Sequence, residues 1–136
     1  MKIIPIIALL LFTVVNQGCS KQTENVNLNK IEGKWKLIAQ NVGLPDSHVS
    51  IKDGAEIFIN SDGTFKKFGG NCDQGTYKIS ENYIIFDYTC EGKENMLSKG
   101  IQKEIFSIKE GILRLTPTYL NCPEGCYFDY KKISDK

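Results

Sequence analysis

From Gly33 to the C-terminus the chain is punctuated every eight to twelve residues by turn signals, and between them lie short runs with period-two alternation. This pattern suits half-buried strands, and no stretch shows a helical period beyond a single turn at GKENMLSKG (92–100). GKWKLIAQ (33–40) alternates Trp35, Leu37 and Ala39 against Lys34, Lys36 and Ile38. EIFIN (56–60) and TFKKF (64–68) flank Ser61-Asp62-Gly63, where Gly63 can take positive φ. GTYKI (75–79) and NYIIFDY (82–88) flank Ser80-Glu81, and IQKEIFSIK (101–109) and ILRLT (112–116) flank Glu110-Gly111. CYFDYKKI (126–133) closes the chain. Strands joined by tight turns pair in sequence order. The expectation is an all-β fold, an eight-stranded up-and-down antiparallel barrel closed so that no edge is left. Its core face is expected to include Trp35, Leu37, Phe65, Tyr77, Ile84, Phe86, Leu113, Leu115 and Phe128.

The residues before Lys30 are of another kind. Lys2 precedes Ile3 to Val15, an apolar run broken by Pro5 and Thr13 and too short to span a bilayer as a helix. A positive start and a short apolar core read as a secretory signal over residues 1–18. SKQTENVNLN (20–29) carries only one Val and one Leu, too little apolar surface to order itself. Residues 19–29 are therefore expected to be a tether, with one domain over 30–136. Removing the signal removes Lys2, so 17 basic against 16 acidic side chains becomes 16 against 16. A neutral domain with scattered lysines has no electrostatic pull toward nucleic acid.

Five cysteines leave one without an intramolecular partner. An exported chain permits disulfides. If the hairpin around Glu81 turns so that facing residue numbers sum to 162, Tyr77 opposes Ile85 and Cys72 opposes Cys90. That bridge would close a 19-residue loop, worth about 3 kcal/mol by chain entropy. Cys122-Pro-Glu-Gly-Cys126 would form a smaller clasp. A four-cysteine zinc site is the alternative, but such sites show two closely spaced pairs and only 122–126 is close. Cys19 is left over. Gly18-Cys19 directly after the apolar run resembles the lipobox of bacterial lipoproteins, although Asn16 and Gln17 depart from the usual Leu and small residue. That resemblance implies acylation of Cys19, attachment to the lipid bilayer and, with Ser20 next, an outer-membrane lipoprotein of a Gram-negative envelope. Several acyl chains hold firmly where one does not.

Gly33-x-Trp35 on the first strand resembles the lipocalin signature, in which the tryptophan packs across the closed end of the barrel. With EIFINSDGTF, GTYKI and CPEGCYFDYKKI, residues 30–134 resemble the small lipocalin-like domain of bacterial lipoproteins. The arginine that often stacks on that tryptophan has no obvious counterpart; Arg114, the chain's one arginine, either fills that role or simply points at solvent. A second resemblance, of GGNCDQGTY and the later Thr89-Cys90, is to the META domain of secreted bacterial proteins. Its GCN triplet is absent here, and the hairpin meander favours the lipocalin-like reading.

Catalysis finds little support. His48 is the only histidine, in a loop over 42–54 beside Asp46 and Ser47, and sequence neighbours rarely make a triad. No phosphate-binding loop, dinucleotide fingerprint or histidine metal motif occurs, so no cofactor or metal is expected. The resemblance implies non-catalytic binding of a small apolar or amphipathic ligand. Its expected lid is the first loop, with Leu44, Pro45 and Val49 lining it above Tyr77 and Phe86 in the interior. The alternative is a protein-interaction module, such as an inhibitor of an envelope-attacking enzyme, with loop 91–100 inserted into its partner.

Overall fold

The computed structural model describes residues 30–45, 47–69, 73–89, 100–123 and 125–136. Cys19, Cys72, Cys90, Asp46 and loop residues 91–99 lie outside them, as do the signal and tether. Nine strands form one antiparallel sheet: β1 (Gly33–Val42), β2 (His48–Ser50), β3 (Glu56–Ile59), β4 (Thr64–Lys67), β5 (Gln74–Ser80), β6 (Tyr83–Tyr88), β7 (Ile101–Lys109), β8 (Ile112–Pro117) and β9 (Cys126–Ser134). Strands β3 to β9 follow one another in order, and β9 returns to pair with β1 from Lys34 to Val42. The sheet is a closed eight-stranded barrel with β2 as an addition.

That addition revises the expected first loop. His48 pairs with Asn41, Val49 with Gln40 and Ser50 with Ala39, on the same edge of β1 that β3 occupies further down. Ile51 N–H donates to the Ile38 carbonyl (2.7 Å) and Leu37 N–H to the Ala55 carbonyl (2.9 Å), so residues 48–59 run along β1 as one interrupted strand. A Cβ at Gly54 would collide with the Leu37 carbonyl, so this interruption needs glycine there. His48 stands on a strand, not in a free loop.

The hairpin register also differs from expectation by one residue. Tyr77 faces Phe86 and Gly75 faces Tyr88, so the sum is 163. The turn is Glu81-Asn82 rather than Ser80-Glu81, with Glu81 at φ 55°. A one-residue slip changes which side chains share a face, and 163 is the register that puts Tyr77 and Phe86 on the same side. Cys72 and Cys90 lie beyond the ladder this register defines. At the next hairpin Glu110 (φ 51°) and Gly111 (φ 75°) both take positive φ, the two-residue geometry that matches strand twist.

The two ends of the barrel differ. The three tight turns, residue 30 and the C-terminus sit at one end; the strand ends from which the longer connections leave, among them Val42, Lys67, Tyr88 and Pro117, sit at the other. Inside, Trp35, Ile57, Ile59, Phe65, Ile84, Phe86, Leu113 and Leu115 form one buried cluster, all at most 2% exposed. Trp35, Phe65, Ile84, Phe86, Leu113 and Leu115 were expected there; Leu37, Tyr77 and Phe128 are only half-buried. Period two carried the alternation, and β1 breaks it: its register to β9 shifts at Lys34/Trp35 and again at Leu37/Ala39, so that Ala39 pairs with Asp129 and Gln40 with Phe128.

Candidate functional site

The tight-turn end is sealed. Trp35 is fully buried, and its indole N–H donates to the Ile31 carbonyl at 2.7 Å. Lys132 lies with its Nζ 5.2 Å from the Trp35 ring, donates to the Lys30 carbonyl at 2.9 Å and pairs with Asp135 at 2.7 Å. Gly33 is required here: a Cβ would strike the Ser134 carbonyl and the Lys132 stem, and its φ of 130° disfavours any side chain. The cation on the tryptophan is thus Lys132, not Arg114. Arg114 lies on the outside of the barrel. It forms two 2.7 Å hydrogen bonds with Asp129 and stacks 3.8 Å above Tyr127, whose hydroxyl meets His48 Nδ1 at 2.8 Å. The Asp129 bonds hold the guanidinium in its charged form. A hollow beside this end is lined by charged side chains, including Asp62 and Lys136, together with Phe58 and Ile59, and is open to solvent. The Asp62 carboxylate is already committed to the Thr64 hydroxyl and N–H, which lower its pKa.

The long-loop end is different, because the barrel interior there is polar. Lys67 ends β4, shares the inward face with Phe65, and is opposed by Ile57. Its Nζ lies 4.2 Å from the centre of the Phe86 ring, 5.4 Å from Tyr88 and 6.0 Å from Phe65. The rings brace one another edge to face, Phe65 against Phe86 at 4.7 Å and against Tyr88 at 5.0 Å. Glu104, opposite Ile84 on one side and Pro117 on the other, is 3% exposed, with Oε1 3.8 Å from Lys67 Nζ. The Tyr119 hydroxyl reaches Glu104 Oε1 and Gln102 Oε1, both at 3.3 Å.

Burial dominates the electrostatics of this cluster. Loss of solvent raises the Glu104 pKa, against the opposing pull of Lys67 and the Tyr119 hydroxyl. Burial also pushes Tyr88 and Tyr119 well above the ordinary phenol, and Tyr130 up to about 12, with the Glu104 charge adding to each. All three tyrosines therefore remain O–H donors at any physiological pH. Between these groups no nucleophile–base pair is formed, and among the described residues no cluster of histidine, cysteine or carboxylate could hold a metal ion.

The expected site residues are distributed unevenly. Phe86 is fully buried and floors the polar cluster. Tyr77 shares its face but sends its hydroxyl to the Asn60 carbonyl (2.9 Å) at the tight-turn end, away from the expected lid. Val49 faces the same side as Gln40, Phe128 and Leu115 but is half-exposed at the rim, and Leu44 and Pro45 are exposed. Cys122 and Cys126 form the expected disulfide, with Cα atoms 5.6 Å apart, and Cys126 is buried. The clasp packs on Gly43, where a Cβ would come within 2.8 Å of the Cys122 Cβ. Lys67, Glu104 and Tyr119 were not anticipated. Period two places Glu104 on the inward face with Phe106 and Ile108, and a charge there was the signal available. No protein-family model matches the chain, and comparison with curated proteins finds no match.

Proposed function

We propose that the protein is an envelope lipoprotein whose barrel binds a small amphipathic molecule at its long-loop end, without catalysis. One observation carries the reading: a buried carboxylate, 3.8 Å from an ammonium and in reach of the Tyr119 hydroxyl, lies inside the barrel beyond its buried apolar cluster. Burying charge is costly, and a barrel built only for stability does better with apolar residues at those positions. Perturbed ionisable groups grouped in a concavity are a general mark of binding sites. The packed floor of Phe65, Phe86 and Leu115 limits the ligand to the upper half of the interior. In this reading acylated Cys19 ties the domain to the membrane through the tether. Lys30, where the described residues begin, lies at the tight-turn end, opposite the long connections.

The test is saturable binding of a neutral solvatochromic probe, N-phenyl-1-naphthylamine. Fluorescence should rise with one-to-one stoichiometry and fall to background in Gln102→Trp, which fills the mouth from β7. An equal response from both proteins would refute mouth binding. Acyl labelling and fractionation of Cys19→Ala test the anchor separately, with loss of label and release into the soluble fraction expected.

A further inference from the structure

We propose that the mouth takes an organic ammonium group, the head of an amphipathic amine or quaternary amine, into the aromatic box that the Lys67 ammonium fills in this structure. The inference rests on the mouth-binding reading and names the chemistry of its ligand. Ring faces attract cations, most strongly where water is excluded. Phe86, Tyr88 and Phe65 present such a site, and the chain's own ammonium lies 4.2 Å from the nearest ring centre. The box has therefore already been matched to its ligand class by an internal stand-in.

The stand-in is loosely held. A charge-assisted hydrogen bond between ammonium and carboxylate runs about 2.7–2.9 Å, whereas Lys67 and Glu104 are 3.8 Å apart. The other contact to Glu104, from Tyr119, is also long at 3.3 Å. Neither contact to the buried carboxylate is therefore a short one. Lys67 is the last residue of β4, its side chain is 24% exposed, and its flexible stem can carry the charge to water without moving the strand. Exchange of one ammonium for another leaves the buried charge unchanged, so no uncompensated ion is created. An anionic head would instead meet the Glu104 carboxylate and the negative ring faces.

A tethered competitor weakens every ligand it competes with, so removing it strengthens binding. Calorimetric titration of hexyltrimethylammonium and of hexanoate into wild type, Lys67→Ala and Glu104→Gln separates the alternatives, with Lys67→Ser as a second variant if the alanine protein fails to fold. The cation is expected to bind wild type, to bind the Lys67 variant at least tenfold more tightly, and to lose at least tenfold in Glu104→Gln; hexanoate should not bind. Hexanoate binding that disappears with Lys67 would overturn the cation assignment and leave mouth binding standing. Cation affinity indifferent to both substitutions would place the probe elsewhere and also overturn it. Binding of neither probe by any variant would sink the assignment, and if N-phenyl-1-naphthylamine also fails to bind, mouth binding falls with it.

Discussion

Among the described residues, Lys67 and Lys132 lie over fully buried aromatic rings beside a carboxylate, one at each end of the barrel, and they are built to opposite specifications. Lys132 has no exposed side-chain surface, touches Asp135 at 2.7 Å and the Lys30 carbonyl at 2.9 Å, and caps Trp35. Lys67 is 24% exposed and 3.8 Å from Glu104. The carboxylates are reversed as well: Asp135 is one-third exposed, whereas the Glu104 side chain is almost wholly buried. At the sealed end the cation is buried and its partner faces water, so the lysine ties the backbone at Lys30 and the C-terminal Asp135 to the barrel. At the mouth the anion is buried and the cation can leave. The same three chemical parts make a lock at one end and, in the proposed reading, a receptor at the other.

The largest expected effect tests the lock. Trp35→Ala removes the biggest fully buried side chain and should lower the unfolding free energy by about 3–5 kcal/mol, read by denaturant titration. Lys132→Met keeps the stem over the indole and removes the charge and its hydrogen bonds. A loss of about 2 kcal/mol is expected, because hydrogen bonds to charged groups contribute about 1.5–3 kcal/mol. Lys67→Met, the matching change at the mouth, leaves the buried Glu104 carboxyl without its cation, and should cost less than Lys132→Met because Glu104, its pKa already raised by burial, can take up a proton. Equal losses from Lys132→Met and Lys67→Met would dissolve the distinction between lock and receptor.

Much of this arrangement was legible in the sequence, and the parts that were not have physical reasons. Alternation and turn residues specify strands, so eight of the nine follow from local pattern, and β2, three exposed residues long, does not. The Cys122–Cys126 clasp is a matter of proximity along the chain. Trp35 could be placed at the closed end, but its cation could not, because Lys132 reaches it through a β-bulge at Lys34/Trp35 that shifts the β1–β9 register. A bulge adds one residue with no compositional mark. Lys67 follows Lys66 in a pair that reads as a solvated face, yet only Lys66 points outward. Glu104 lies in the alternating run Gln102, Glu104, Phe106, Ile108, where pattern alone assigns it to the core and its charge argues against that. The conflict between the two was the trace of the candidate site.

The smallest effect is a matter of sign, and it bears directly on the mouth. Burial raises the folded-state pKa of Glu104 above its ordinary value of 4.5, with Lys67 and the Tyr119 hydroxyl opposing the shift. Below the unfolded pKa the carboxyl is protonated in both states and contributes no difference. As pH rises past that value the unfolded chain ionises first while the folded protein keeps its proton, so stability falls until the folded pKa is passed and then levels off. Glu104→Gln cannot ionise and lacks this decline. Other carboxylates titrate in both proteins, so the difference between their denaturation midpoints, followed from about pH 4 to neutrality, isolates Glu104. The wild type should lose ground to the variant as pH rises. The opposite slope would mean that the Lys67 ammonium holds Glu104 as firmly as Asp135 and Lys132 hold each other, and the two ends of the barrel would then share one design.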